Sequence, residues 1–146
     1  MLEKHNDDLS LGWELFPHLD LDRQKRFGFL IEPNKKVHFS FKFNDKPECA
    51  IIIYRINKGP LSISGPVVVR GNFGRSQEPF EISTFEEGES VQYYVTSWHK
   101  NKFVNDPIWV QSWMRNFMNG DLYICGFEAY TNWTFNNARF EAFYTK

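Results

Sequence analysis

"KVHFSFKFNDKPECAIIIYRI", residues 36–56, carries two apolar patterns in succession, and the contrast between them decides the fold. In the first, Val37, Phe39, Phe41 and Phe43 alternate with His38, Ser40 and Lys42. Side chains of a strand point to opposite faces in turn, so the alternation predicts a strand with one buried and one wet face. The second, ECAIIIYRI, is apolar at both parities. That predicts a central strand covered on both sides.

Short strands continue along the chain. Gly59-Pro60 and Gly65-Pro66 punctuate LSIS and VVVRG. PFEISTF and SVQYYVTSW flank Glu86-Glu87-Gly88-Glu89, a solvated turn. PIWVQSWMRNF and DLYICGFEAY flank Met118-Asn119-Gly120, where Asn-Gly signals a hairpin, and ARFEAFY follows near the end. No long helical period interrupts them. The spacing predicts an all-β, two-sheet antiparallel β-sandwich of jelly-roll type, with about eight to ten strands. Residues 23–146 form this domain. Residues 1–22 are acidic and aperiodic, and read as an N-terminal arm with Trp13, Leu15 and Phe16 available to pin it down.

Composition excludes several function classes. A length of 146 residues fits one domain with a sizeable core. A formal charge of -1, with basic residues scattered as Lys25-Arg26, Lys35-Lys36, Lys100 and Lys102, argues against electrostatic capture of nucleic acid. Aromatics reach 18%, including fifteen Phe and five Trp, which suits pleated, half-buried surfaces. No run approaches the roughly 20 apolar residues of a transmembrane segment. The N-terminus shows no signal-peptide pattern, so the sequence as written predicts a cytoplasmic chain, with secretion by another route left open. Cys49 and Cys125 are too few for a disulfide framework and read as buried thiols, a single bridge between them being the alternative.

The stretch GFEAYTNWTFNNARFEAF, residues 126–143, resembles a motif of bacterial extracellular jelly-roll modules, which read GFED, a short gap, then D-x-DFND before the last strand. The carboxylates of those modules are associated with calcium. Gly126, Phe127, Glu128, Phe135 and Asn136 match, and the preceding TSWHKN and WVQSWMR match more loosely. Ala129, Asn132, Thr134 and Asn137 stand where the pattern carries Asp. Calcium takes about six to eight oxygen ligands, several of them carboxylates in tight sites. One retained carboxylate does not meet that need, so the expectation is a structural loop with no metal and no cofactor.

Catalytic patterns are lacking. His5, His18, His38 and His99 form no metal-ligating pair. His38 falls on a polar strand face, and His99, at a strand end after Trp98, is expected to be exposed. RGNFGRSQEPFE lacks the lysine and following helix of a phosphate loop and reads as a turn. Paired acids such as Glu78 and Glu81 serve hydrolysis only if the fold sets them at the right separation. The chain is therefore expected not to be an enzyme.

One surface stands out. In PIWVQSWMR, Ile108, Val110 and Met114 share a parity that points them inward, leaving Trp109, Gln111, Trp113 and Arg115 outside. In SVQYYVTSW, Val91, Tyr93 and Val95 point inward, leaving Gln92, Tyr94, Thr96 and Trp98 outside. If the strands are neighbours, Tyr94, Trp98, Trp109 and Trp113 form a flat aromatic patch edged by Gln111 and Arg115. Sugar rings stack on such platforms while amide and guanidinium groups bond their hydroxyls. The expected function is a lectin-like, non-catalytic module that binds a carbohydrate or glycan surface. An inverted parity would place the Trp residues in the core, and the arm or a second subunit could cover the patch. A structural or assembly jelly roll, forming a homo-oligomer or meeting a protein partner, is the main alternative. A membrane-surface binder with exposed aromatics is the third.

Overall fold

The alternating and the doubly apolar strands both form, and they lie in different sheets. A computed structural model describes residues 9–19, 25–44, 47–56, 63–100, 108–116, 123–128 and 137–145. Among these, β1 (Arg26–Ile31), β2 (Lys36–Phe43), β3 (Cys49–Ile56), β4 (Ile63–Gly71) and β5 (Phe80–Ser83) are followed by β6 (Val91–Lys100) and β7 (Trp109–Gln111). Then come β8 (Trp113–Asn116), β9 (Tyr123–Glu128) and β10 (Ala138–Thr145). A short helix, α1 (Ser10–Leu15), and a 3₁₀ turn, Phe16–His18, precede them. Among the described residues no helix is long and apolar enough to cross a membrane.

The strands make two five-stranded antiparallel sheets. One runs β1-β6-β3-β4, with β7 also on β6; the other runs β5-β2-β10-β9-β8. The chain is an all-β sandwich of the expected kind. Phe39 and Phe140 are fully buried from the second sheet, and their stacked rings lie 5.9 Å apart. Phe29 of β1 meets Phe39 edge-on at 5.7 Å, so the two sheets interlock through aromatic rings. Ile51 and Ile53 of β3, with Val95 of β6, complete this core from the first sheet.

β3 is central, as its sequence predicts, between β6 and β4. Ile51 and Ile53 face the other sheet, whereas Ala50, Ile52 and Tyr54 belong to a second buried cluster on the outer face. The cover there is α1, which contributes Leu11 and Leu15. A six-residue helix with no side-chain cap has little stability of its own, so packing holds it. Its fit depends on two glycines. A Cβ on Gly12 would lie 2.6 Å from Pro66 Cβ, and one on Gly65 would lie 2.7 Å from the Trp13 ring. Gly65 also has φ +138°, which disfavours other residues. The Tyr54 hydroxyl donates to the Gly12 carbonyl at 3.4 Å. Of the three residues expected to pin the arm, Leu15 is buried, Phe16 is half-buried, and Trp13 is 54% exposed.

The turn after β4 is held by one buried side chain. Asn72 accepts from the Cys49 N–H at 2.8 Å and donates to the Asn44 and Pro47 carbonyls, each at 2.9 Å. Residues 86–89 are exposed, as a solvated turn requires. The Met118-Asn119-Gly120 signal lies outside the described residues, but β8 and β9 on either side pair antiparallel.

Candidate functional site

The expected aromatic patch is divided by the fold. Parity is as read along β6: Val91, Tyr93 and Val95 enter the inter-sheet core, while Tyr94 and Trp98 lie on the outer face. That outer face is not open. Trp98 is only 2% exposed, enclosed in the α1 cluster, and its Nε1 donates to Thr96 Oγ1 at 3.0 Å. Tyr94 is half-buried against the same cluster, with the Arg26 guanidinium 4.1 Å from its ring centre.

The segment PIWVQSWMR does not stay in one sheet. β7 pairs with β6, in the register Trp98↔Gln111 and Lys100↔Trp109, and β8 pairs with β9 of the other sheet. The crossover is at Ser112, whose N–H still donates to the Ser97 carbonyl at 2.7 Å. Trp109 and Gln111 therefore lie on the outer side of the first sheet. Met114 packs against the core of the sandwich, which leaves Trp113 and Arg115 on the outer side of the second. The single inward set expected from parity is corrected accordingly: Ile108, before the crossover, is 63% exposed. Trp113 is 36% exposed, Arg115 is exposed, and Gln111 is buried.

What the fold assembles instead is a cleft of about 680 Å³ where α1 meets the β6–β7 edge. It brings together three of the residues singled out in the sequence, Trp98, Trp109 and Gln111. Trp98 and Leu15 form apolar lining, and the half-buried Trp109 indole forms more. Polar groups enter from three directions: Glu14 and His18 from the helical segment, Lys25 from the start of β1, and Lys100 from the end of β6. Gln111 Nε2 donates to the Lys25 carbonyl at 3.1 Å, tying β7 to the residue that precedes β1. Lys25 Nζ lies 4.9 Å from the Trp113 ring centre, so Trp113 borders the cleft through this lysine rather than sharing a platform with Trp109.

Trp109 is surrounded by cations. Lys100 Nζ is 5.4 Å and the Arg75 guanidinium 5.2 Å from its ring centre, both within reach of the ring's negative face. Glu48 pairs with both, 2.8 Å from Arg75 Nη1 and 4.0 Å from Lys100 Nζ. Sequence reasoning treated Lys25 and Lys100 as scattered surface charge and did not place Glu14 or His18. No local pattern marks these four, because strand pairing and helix docking bring them together.

A second polar group lies inside the sandwich. His99 is buried, not exposed as expected, and its Nδ1 is 2.8 Å from Ser112 Oγ. Burial lowers its pKa from 6.5 to about 4, so the imidazole is neutral at physiological pH. Ser112 is buried as well, so the pair braces the crossover and is closed to a substrate. Cys49 is a free buried thiol, raised to about 12 by burial first, then by Glu48 and Glu128. Such a thiol is a poor nucleophile. Cys125 has its backbone, but not its side chain, among the described features.

Gly126, Phe127 and Glu128 of the calcium-associated pattern belong to β9, with Glu128 fully buried. Asn137 is half-buried just before β10, while Ala129, Asn132, Thr134, Phe135 and Asn136 lie outside the described residues. Among the described residues no group of three or more His, Cys, Asp or Glu is placed to hold a metal ion.

No protein-family model and no curated protein matches the sequence. Similar folds occur among solved structures. The C-terminal domain of the BC2L-C lectin from Burkholderia cenocepacia aligns with a TM-score of 0.53 at 14% identity, covering 85% of this chain and 97% of that one. A lectin of Chromobacterium violaceum, solved in complex with alpha-methyl-fucoside, gives 0.47 at 13% identity over 85% and 97% of the two chains. A high-affinity mannose-binding lectin of Ralstonia solanacearum gives 0.47 at 11% identity over 82% and 95%. The Burkholderia domain shares the fold of this chain.

Proposed function

We propose that the chain is a non-catalytic, lectin-like module that binds carbohydrate in the cleft between α1 and β7. The observation that carries the reading is Trp109, a half-buried indole at the edge of the cleft with amide, carboxylate, imidazole and ammonium groups around it. An aromatic surface accepts the apolar face of a sugar ring, and a few fixed polar groups select among its hydroxyls. The sandwich shared with the Burkholderia lectin domain supports the same class. Trp109, Gln111 and Trp98 of the expected set belong to this cleft. Trp113 borders it, and Tyr94 and Arg115 serve at its margins.

A screen of immobilised glycans against the purified chain, compared with Trp109→Ala, tests the proposal. The expected result is selective glycan binding that Trp109→Ala removes while far-UV circular dichroism is unchanged. Trp109→Phe, which keeps an aromatic face, retains part of it. An intact chain that binds no glycan ends the reading. The assembly alternative has its own support in the exposed Ile108 and Trp113 beside the crossover. It is separated by size-exclusion mass: a stable oligomer that Trp113→Ala dissociates would favour it.

A further inference from the structure

The charges around the cleft narrow the kind of sugar, an argument that rests on the carbohydrate reading above. We propose that the ligand is an acidic saccharide, a sugar ring carrying a carboxylate or a sulfate. Lys100 stands opposite Trp109 in the β6–β7 register, and Lys25 sits at the other end of β7 beside Gln111. Two strand residues separate Trp109 from Gln111, about 7 Å along the strand. The two lysines therefore flank the stretch on which a ring would lie. Arg75 adds a third positive group over Trp109. Against these stand Glu14 in the cleft wall and Glu48, the partner of Arg75 and Lys100. Three cations against two carboxylates leave the neighbourhood positive, on a chain whose formal charge is -1.

The donor and acceptor balance points the same way. Lysine offers donors only, and so does arginine. A neutral sugar placed among them would supply weak hydroxyl acceptors while stripping water from charged groups. An anionic substituent supplies charge-assisted hydrogen bonds, roughly twice as strong as neutral ones. The rings of Trp109 and Trp113 hold the two ammonium groups near the cleft, which reduces the ordering needed on binding. A lysine ammonium is a compact point charge and does not select carboxylate over sulfate by shape. The ligand class is therefore set by charge.

Tryptophan fluorescence titration with three sets of galactose-based oligomers of equal length, neutral, uronate-bearing and sulfated, tests this. The expected result is acidic oligomers bound at least about tenfold more tightly than neutral ones at about 50 mM salt, with the gap closing at about 500 mM as screening grows. Lys100→Gln and Lys25→Gln should each narrow the gap several-fold, Lys100→Arg should keep it, and Glu14→Gln should widen it. Whichever acidic set binds more tightly identifies the group recognised. Neutral oligomers bound as well as acidic ones would overturn this inference and leave the carbohydrate reading standing. No oligomer bound by the folded chain, in any set, would overturn both.

Discussion

Trp98→Ala separates a covered sheet from an open one. The side chain is 2% exposed and lies in one cluster with Leu11, Leu15, Ala50, Ile52, Tyr54 and Val69. A buried aromatic removes about 150–250 Å² from water, and truncation to Ala in a core costs about 3–5 kcal/mol. The polar loss is smaller. Thr96 Oγ1 gives up the indole donor but still donates to the Ile52 carbonyl at 3.4 Å. Against a total stability of about 5–15 kcal/mol the effect is large. With a urea m-value of about 2 kcal/mol/M, the midpoint should fall by about 1.5–2.5 M. Far-UV circular dichroism is the proper readout, because the substitution deletes a fluorophore. The same measurement on Leu15→Ala and on the double variant closes a cycle. Members of one packed cluster should show a coupling of about 0.5–3 kcal/mol. A Trp98→Ala variant within about 1 kcal/mol of the parent chain, or strict additivity with Leu15→Ala, would refute a helix seated on this face.

Three further outcomes are expected. His99 is neutral when folded, with a pKa near 4 against an ordinary 6.5, so the unfolded chain takes up a proton between those values that the folded chain refuses. Stability should be level above pH 6.5 and fall towards pH 4 by up to about 3 kcal/mol, and His99→Gln should flatten that slope in urea titrations across the range. Melting curves with about 1 mM calcium and with chelator should overlay, because a ligand far below its Kd adds nothing to stability; a shift of several degrees would restore a calcium role to the 126–137 stretch. Phe39→Ala should lower stability by about 3–5 kcal/mol while the exposed Lys42→Ala stays within about 0.5 kcal/mol, both read from denaturant midpoints.

Strand periodicity was legible because each strand meets the same two environments along its length. Val37 and Phe39 are buried and Lys42 is exposed because β2 runs its full course in one sheet. PIWVQSWMR defeated the method because it changes sheets at Ser112 without changing parity. Trp109 and Trp113 both point away from the core, but on opposite sides of the sandwich. His99 was misplaced for a different reason. It shares parity with Val91, Tyr93 and Val95, so alternation alone turned it inward, and its position at a strand end was the misleading cue. The cleft lysines could not be found by pattern at all. Lys25 and Lys100 meet only because β6 pairs with β1 along one part of its edge and with β7 along the next.

The covering helix was foreshadowed more strongly than its own sequence shows. Ala50, Ile52 and Tyr54 put an apolar face on the far side of β3, and Ala50 is in register with Trp98. A sheet with two apolar faces needs two covers, and the second sheet supplies one. Within the described chain, α1 and the 3₁₀ turn carry Leu11, Leu15 and Phe16 outside any strand. These residues were the available material for the other cover. Their docking also decides where a ligand can go. By closing over Trp98 and stopping short of Trp109, the helix turns a flat aromatic face into a cleft with a polar wall. A wall bearing Glu14 and His18 can discriminate among ring substituents in a way that an open platform of tryptophans cannot.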